Sequence, residues 1–374
     1  LILLDLLLDG TESNFKDIVV MSLQMSSKYI SEGGVDSELI AVSLLDIVSK
    51  VLKLSHDNGI KLDIFDDNST HLKYIDFLVT SLSSMNTPLI ISSYVKILTE
   101  SLVYFGESIF HVLLPLTASI IQCLARLFAL EKEKGGYYKP IALLLEGLEN
   151  LLETAHGYLY SQDKNGLSSG GTNQRSDFLQ SVVSNVFYTE NTEDTVRSQG
   201  ERNVVLQTFK QISLCCTEVW FWAHNLSIDR ALSTKYHSSY KFKFKTKKLL
   251  EKMFFLEPLE TLENLVAHED KDVITLIHVL DGNKPSLTIP YLLYSVILRF
   301  DIHTTIKFSF NSGKFNTSRI SKNEPSLLNK LDSSTIMKFI IQYTVSLENS
   351  AIEEFYDDFI TFFKEVSTNY TLFK

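Results

Sequence analysis

Apolar residues recur three and four positions apart along much of this 374-residue chain. Residues at this spacing share one face of an α-helix, so the pattern predicts helices that each bury one face. Four segments carry long stripes of this kind, namely Ile109 to Leu127, Ile141 to Leu159, Val205 to Leu226 and Ile352 to Val366. The spacing therefore predicts an all-α protein.

Shorter helical patterns and their connections extend this prediction. Gly135 and Gly136 follow one long stripe and Pro140 opens the next, which is typical of two antiparallel helices joined by a short turn. Helix pairs that recur about every 40 residues are typical of HEAT and armadillo repeats. No self-similarity at a fixed period is visible, so we expect an irregular HEAT-like or armadillo-like solenoid of antiparallel helix pairs. The shorter patterns are Ala41–Leu52, Leu72–Met85, Leu89–Phe105, Leu249–Leu265, Val273–Leu280, Leu292–Phe300 and Ile336–Leu347.

Three segments interrupt the helical patterns. Ser161–Ser176 is rich in Ser, Gly and Asn and predicts a mobile loop, and polar Tyr188–Gly200 predicts a second, exposed loop. Ile302–Phe310 alternates apolar and polar residues, which keeps a short strand or hairpin open as an alternative there. The expected organisation is helical repeats over 1–160, a flexible polar region with one short helix over 161–200, and further helical repeats over 201–374.

The composition limits the partners and the compartment. Lys plus Arg number 35 and Asp plus Glu 45, a net charge of −10, so bulk attraction to nucleic acid or anionic lipid is not expected and any such contact must be local. Three cysteines without framework spacing indicate a reducing compartment.

The most apolar stretch, Val112–Leu130, includes Arg126, so we interpret it as a core helix and not a membrane span. The apolar run at Leu1 has no preceding Met or N-cap, and we expect the chain to be part of a longer protein.

No recognised catalytic motif is present. The sequence lacks the P-loop, dinucleotide-binding, HExxH and GxSxG patterns. His268 adjoins two acidic residues, but no further metal ligand lies at a suitable spacing. Cys215 lies in a helical pattern beside apolar positions, which favours a structural cysteine over a thiol nucleophile. We therefore expect no enzyme activity, no cofactor and no metal site.

A lysine cluster is the main candidate contact surface. In a helix, Lys241, Lys245 and Lys248 would share one face, beside an apolar face that includes Phe242. A basic face of this kind can lie on an anionic membrane or bind an acidic partner, and the alternative is a solvated helix face that happens to be lysine-rich. Trp222 departs from the apolar stripe of its helix and, if exposed, would be a candidate protein contact. The candidate contact lysines are Lys241, Lys243, Lys245, Lys247 and Lys248.

Three short segments resemble one known family. The segment from Lys139 to Gly147, which reads KPIALLLEG, is similar to the LLEG-containing helix in the C-terminal half of the Dopey proteins. Arg202–Leu206, followed by Trp220, resembles the next helix of that family, and Ile120–Leu124 resembles the preceding one. The resemblance is clearest between these segments and rests mostly on apolar positions, so it transfers no site residue.

The resemblance implies a function that the residues alone do not. Dopey proteins are large, non-catalytic, cytosolic scaffolds, peripheral on trans-Golgi network and endosome membranes, and they act in vesicle traffic between these compartments. Their expected partners are a HEAT-repeat protein of the Mon-two type and a class-IV P-type ATPase that flips phospholipids, with self-association into a homodimer as a further expectation. Contact with anionic phospholipid is expected from the lysine cluster and not from this resemblance. Two alternatives stay open: a cargo-binding HEAT solenoid of nuclear transport or another type, and, least favoured, an enzyme of an unrecognised class.

Overall fold

The computed structural model describes residues 7–8, 15–59, 68–161, 192–228, 239–268, 270, 272–299, 331–348, 351, 353 and 355–369. The chain forms two compact units. The first combines Leu1–Tyr158 with Trp222–Thr246, and the second combines Leu159–Phe221 with Lys247–Lys374.

Helices make up the regular structure of the described residues, which confirms the all-α prediction. Two short 3₁₀ turns, Ser81–Ser83 and Gly106–Ser108, adjoin longer helices. The α-helices in these parts of the chain are α1 Phe15–Glu32, α2 Val35–Asp57, α3 Asn68–Thr80, α4 Pro88–Phe105, α5 Ile109–Lys134, α6 Tyr138–Ser161, α7 Thr192–Ile228, α8 Ser239–Leu256, α9 Pro258–Val266, α10 Val273–Leu280, α11 Pro285–Leu298, α12 Ser333–Val345 and α13 Tyr356–Asn369.

The first unit has the two-layer arrangement of a helical solenoid. Helices α1 and α2 form a hairpin across Gly33 and Gly34, and α1, α3 and α5 pack in sequence as one layer. Helix α2 packs on α4 in the other layer, where Tyr104 donates a hydrogen bond of 2.6 Å to the Leu52 carbonyl. Helix α6 extends that layer, because the Asn150 side chain on α6 donates to Thr99 on α4 at 3.0 Å. Alternate helices therefore share a layer, as expected for stacked antiparallel pairs.

The most apolar part of the chain belongs to the core of this unit. Among the described residues, the stretch Pro88–Lys134 is long and apolar enough to cross a membrane, by length and composition only. It comprises two helices joined by a 3₁₀ turn, and the stripe predicted from Ile109 to Leu127 is buried. Arg126 donates to the carbonyl oxygens of Leu82 at 3.0 Å and Met85 at 2.6 Å, and also to Ser83. The Arg126 guanidinium thus provides hydrogen-bond donors for carbonyl oxygens at the end of the turn that follows α3. A charged residue with protein partners of this kind agrees with the interpretation of the stretch as a core helix.

Two buried ion pairs connect helices of the second unit. Glu263 on α9 is almost fully buried and accepts two hydrogen bonds from Arg299, at 2.7 and 2.6 Å. Arg202 on α7 donates to the Tyr160 hydroxyl at 2.6 Å and to Glu257 at 3.3 Å. Buried charges need such complete pairing, because an uncompensated carboxylate inside the core is strongly destabilising. Arg202, which is half-buried and is one of the residues that carry the resemblance, therefore has a structural role.

Two sequence predictions need correction. The continuous pattern Leu249–Leu265 is two helices, because α8 ends at Leu256 and α9 begins with Pro258, which has no backbone N–H to continue a helix. The predicted loop Tyr188–Gly200 is helical from Thr192 onward, since polar residues extend a helix readily when the segment that follows is packed.

Two other predictions fall on parts of the chain without a described structure. The predicted mobile loop Ser161–Ser176 lies outside the described residues, apart from Ser161 at the end of α6. The possible strand at Ile302–Phe310 also lies outside them.

Candidate functional site

Helix α8 carries all five candidate lysines, and its buried face is the one that the sequence predicted. Phe242, Leu249, Met253 and Leu256 are each at most 4% exposed. These positions recur at helical spacing and place one stripe of α8 in the protein core. The buried stripe leaves the opposite side of α8 facing solvent.

The solvent side of α8 is aromatic as well as basic. Tyr240 is 64% exposed, Phe244 is 68% exposed and Phe255 is 54% exposed. Lys241 and Lys248 are exposed between and beside these rings. We call these five residues the aromatic-lysine face. Its aromatic members were missed in the sequence, although the helical spacing that assigns Phe242 to the buried stripe also places Phe244 on another side of the helix.

The other three candidate lysines are half-buried. The Lys245 ammonium lies 3.4 Å from a carboxylate oxygen of Glu146 on α6, and only 18% of the Lys245 side chain is exposed. Lys247 pairs with Glu251 one turn later in the same helix, at 3.1 Å. Lys243 is half-buried, and burial lowers the pKa of its ammonium group. By exposure, the five lysines divide into two that are exposed, Lys241 and Lys248, and three that are half-buried, Lys243, Lys245 and Lys247.

An aromatic cluster holds the start of α8 in the first unit. The Phe242 ring packs edge-on against Tyr138 at 5.1 Å and against Phe128 at 6.3 Å between centroids. The Lys241 ammonium lies 5.5 Å from the Tyr138 ring centroid, within the range of a cation–π contact. These contacts orient Phe242 inward, so that Phe244, two positions later, points to the other side of the helix.

Trp222 is half-buried in the same cluster. Its ring lies 5.0 Å from Phe128 and 5.6 Å from Phe242, in edge-to-face geometry with both. The sequence proposed Trp222 as a protein contact on the condition that it is exposed. The ring is half-buried and packs against Phe128 and Phe242, so it does not meet the condition of full exposure. A protein contact at Trp222 stays a prediction.

Two adjacent cysteines lie on α7, where Cys216 is buried and Cys215 is half-buried. Burial raises the pKa of the Cys215 thiol to about 12, with a further contribution from Glu218, and burial also raises the pKa of Cys216. A thiol with such a pKa is protonated at neutral pH and is a poor nucleophile. In the part of the chain that the structure describes, no group of three or more His, Cys, Asp or Glu side chains could hold a metal ion.

Comparison with known proteins places the chain in a family. It is 60% identical to Protein DOP1 of Saccharomyces cerevisiae over its whole length. The chain belongs to the Dopey, or DOP1, family. It is also 25% identical, over 79% of its length, to Protein dop1 of Emericella nidulans, and a family model described as DOP1 C-terminal matches residues 339–374. No solved structure matches.

The chain spans only part of these relatives. It covers 22% of the Saccharomyces protein and 16% of the Emericella protein. Of the three segments that resemble the Dopey family, Lys139–Gly147 lies in α6, where Gly147 faces Val95 and Leu98 of α4. The residues that carry the resemblance are thus packing positions, which explains why they identify the family without indicating a binding site.

Proposed function

We propose that the chain is part of a non-catalytic scaffold that acts in vesicle traffic between endosomes and the trans-Golgi network. Membership of the Dopey family is the observation that carries this proposal. The helical layers of the first unit agree with it, because stacked helix pairs present extended surfaces for other proteins.

The proposed partners are a HEAT-repeat protein of the Mon-two type and a class-IV P-type ATPase that flips phospholipids. The proposed location is the cytosolic side of trans-Golgi network and endosome membranes, where the protein is peripheral. Self-association into a homodimer is part of the same proposal.

The aromatic-lysine face of α8 is the surface through which the scaffold would make a contact of its own. Exposed aromatic residues are depleted on ordinary surfaces and enriched where proteins bind. Three of them lie on this single helix, beside two exposed lysines, in a chain whose net charge is −10. The combination is a local exception to the acidic surface that the composition predicts.

Affinity purification of the full-length protein tests the scaffold role. The protein is tagged at its chromosomal locus and purified from gently lysed cells, and a matched strain lacks the region that corresponds to residues 1–374. We expect the HEAT-repeat protein and the flippase to co-purify with the intact protein. Recovery of nuclear-transport factors in place of trafficking proteins would contradict the proposal.

A further inference from the structure

Helix α13 of the second unit exposes aromatic rings along one side. Tyr356 is 60% exposed and Phe363 is 56% exposed. Phe359 lies between them and is half-buried, and its ring stacks on the Phe363 ring at 6.2 Å between centroids. Spacings of three and four positions place the three rings on neighbouring turns, over about 10 Å of the helix. We call these three residues the aromatic stripe of α13.

The aromatic stripe is separate from the side of α13 that faces the core. Helix α13 packs on α11, and the buried rings at this contact side are Phe362, which is 3% exposed, and Phe355 immediately before the helix, which is 2% exposed. The attachment of α13 therefore has its own phenylalanines. Exposed aromatic residues are enriched where proteins bind, so the stripe is a candidate docking surface.

The charge around the stripe is negative. The segment 339–363 contains neither Lys, Arg nor His, and α11, on which α13 packs, has no charged residue. Burial raises the pKa of Asp358, and the like charge of Asp357 raises it further. A partner at this surface therefore has to bring positive charge. The acidic residues of the segment are Glu348, Glu353, Glu354, Asp357 and Asp358.

We propose that the aromatic stripe of α13 is the docking site for a basic amphipathic helix of a partner protein. Its apolar side packs on the three rings, and its arginine side chains stack on Tyr356 and Phe363 and pair with the exposed carboxylate of Asp357. The proposal rests on the proposed scaffold function and deepens it, because it names the chemistry of a protein that the scaffold holds.

Arginine meets both chemical features of this surface. A planar guanidinium stacks on an aromatic face and at the same time donates hydrogen bonds to a carboxylate. An uncharged apolar helix would cover the rings but would remove water from the nearby carboxylates without a replacement. A second copy of the same surface, or an anionic membrane, would bring further negative charge to Asp357, which is unfavourable. The charge of the segment thus selects a basic partner.

Peptide binding to the complete 374-residue chain provides the test. The probe is a fluorescein-labelled helical peptide built on the repeated pattern LRRLLRL, and fluorescence anisotropy measures its affinity. We expect Phe363→Ser to weaken binding about tenfold and Asp357→Asn to weaken it about threefold. A peptide with Glu in place of each Arg should not bind.

Matched controls separate the stripe from the general acidity of the chain. Leu39→Ser replaces an apolar side chain that is 51% exposed, close to Phe363 in exposure. Asp36→Asn removes an exposed carboxylate from the first turn of α2, as Asp357→Asn does in α13. Both controls should bind the peptide as the unmodified chain does, and thermal unfolding checks that all variants are folded. Equal losses in control and stripe variants would overturn the proposal.

Stacking of arginine has a readout of its own. The unmodified chain should bind the LRRLLRL peptide about threefold more tightly than a matched LKKLLKL peptide, because a guanidinium stacks on a ring better than an ammonium does. Phe363→Leu keeps an apolar side chain and removes the ring, so it should abolish this preference. Equal affinities of the two peptides for the unmodified chain would overturn the proposed stacking.

Two further measurements decide between occupants. The full-length protein should bind the LRRLLRL peptide about as tightly as the 374-residue chain does. Binding by the 374-residue chain alone would mean that another part of the protein covers the stripe, and self-association that Phe363→Ser abolishes would assign the stripe to a second copy. Either result overturns the proposal. Co-purification of trafficking proteins tests the scaffold role separately, so that role survives a failure of peptide binding.

Discussion

The phenolic hydroxyl of Tyr343 donates a hydrogen bond to the buried carboxylate of Asp281, 62 positions earlier in the chain. Tyr343 lies on α12, and Asp281 follows the last residue of α10. The same carboxylate accepts from Thr288 at 2.7 Å and from the backbone N–H of Asn283 at 2.9 Å. One buried acid therefore joins the turn after α10 to two further helices of the second unit.

Removal of the Tyr343 hydroxyl should destabilise the second unit. Tyr343→Phe keeps the ring and deletes one donor to a buried carboxylate, which we expect to cost about 1.5–3 kcal/mol. Urea unfolding followed by circular dichroism measures the change. Tyr356→Phe, at an exposed tyrosine, is the control and should change stability by less than about 0.5 kcal/mol. Equal stabilities of the two variants would show that the Tyr343 hydrogen bond is not important for folding.

Truncation of Leu148 tests the core of the first unit. The sequence predicted that Leu144, Leu148, Phe209 and Ile212 are buried, and all four are fully buried. Leu148→Ala should cost about 2–5 kcal/mol, because the removed methyl groups leave a cavity on α6. Leu72→Ala, at an exposed position, serves as the matched control in chemical denaturation. A small effect at Leu148 would contradict the packing of α6.

Gly147 should accept alanine and reject leucine. A Cβ at this position would lie 3.5 Å from Val95 and 3.7 Å from Leu98, which is ordinary van der Waals contact. Gly147→Ala should therefore stabilise the helix interior by about 0.5–1 kcal/mol, since glycine loses more backbone entropy on folding. Gly147→Leu should instead cost about 1–3 kcal/mol by overpacking the contact between α6 and α4. Differential scanning calorimetry of both variants would reveal opposite shifts in Tm.

Alkaline pH should weaken the first unit. Burial raises the pKa of Tyr104 to about 12, with smaller contributions from Asp57 and Glu100, and burial also raises the pKa of Tyr94. A tyrosine in the unfolded chain titrates at about 10, so the folded state binds its phenolic protons more tightly. The stability that depends on these protons is complete below about pH 10 and declines as the pH rises toward the folded pKa.

Unfolding midpoints in urea at about pH 8 and about pH 11 measure this decline. Tyr104→Phe should reduce the dependence on pH, although it also removes the hydrogen bond to Leu52. Tyr356→Phe, which changes an exposed tyrosine, should leave the dependence as it is in the unmodified chain. A midpoint that does not change with pH in this range would contradict the prediction.

Helical periodicity allowed the sequence to predict most of the described fold. The stripes in α5, α6 and α7 are buried where their spacing placed them, because burial of one face is a property that each helix carries in its own residues. The break at Pro258 was available in the sequence and was overlooked, since the apolar pattern continues across it. The helical segment after Thr192 was missed for the opposite reason, because it has no apolar pattern.

The sequence predicted the candidate site only in part. The sequence alone determined that α8 is a basic helix whose Phe242 and Leu249 face the core, because local spacing decides which residues share a face. Only the tertiary structure decided which lysines remain at the surface. Lys245 pairs with Glu146, which is 99 residues earlier in the chain. A pattern of neighbouring residues cannot predict a contact at that separation. The rings that surround Phe242 come from Phe128, Tyr138 and Trp222, and the spacing within α8 cannot name these distant neighbours, because they are brought together only by the packing of other helices.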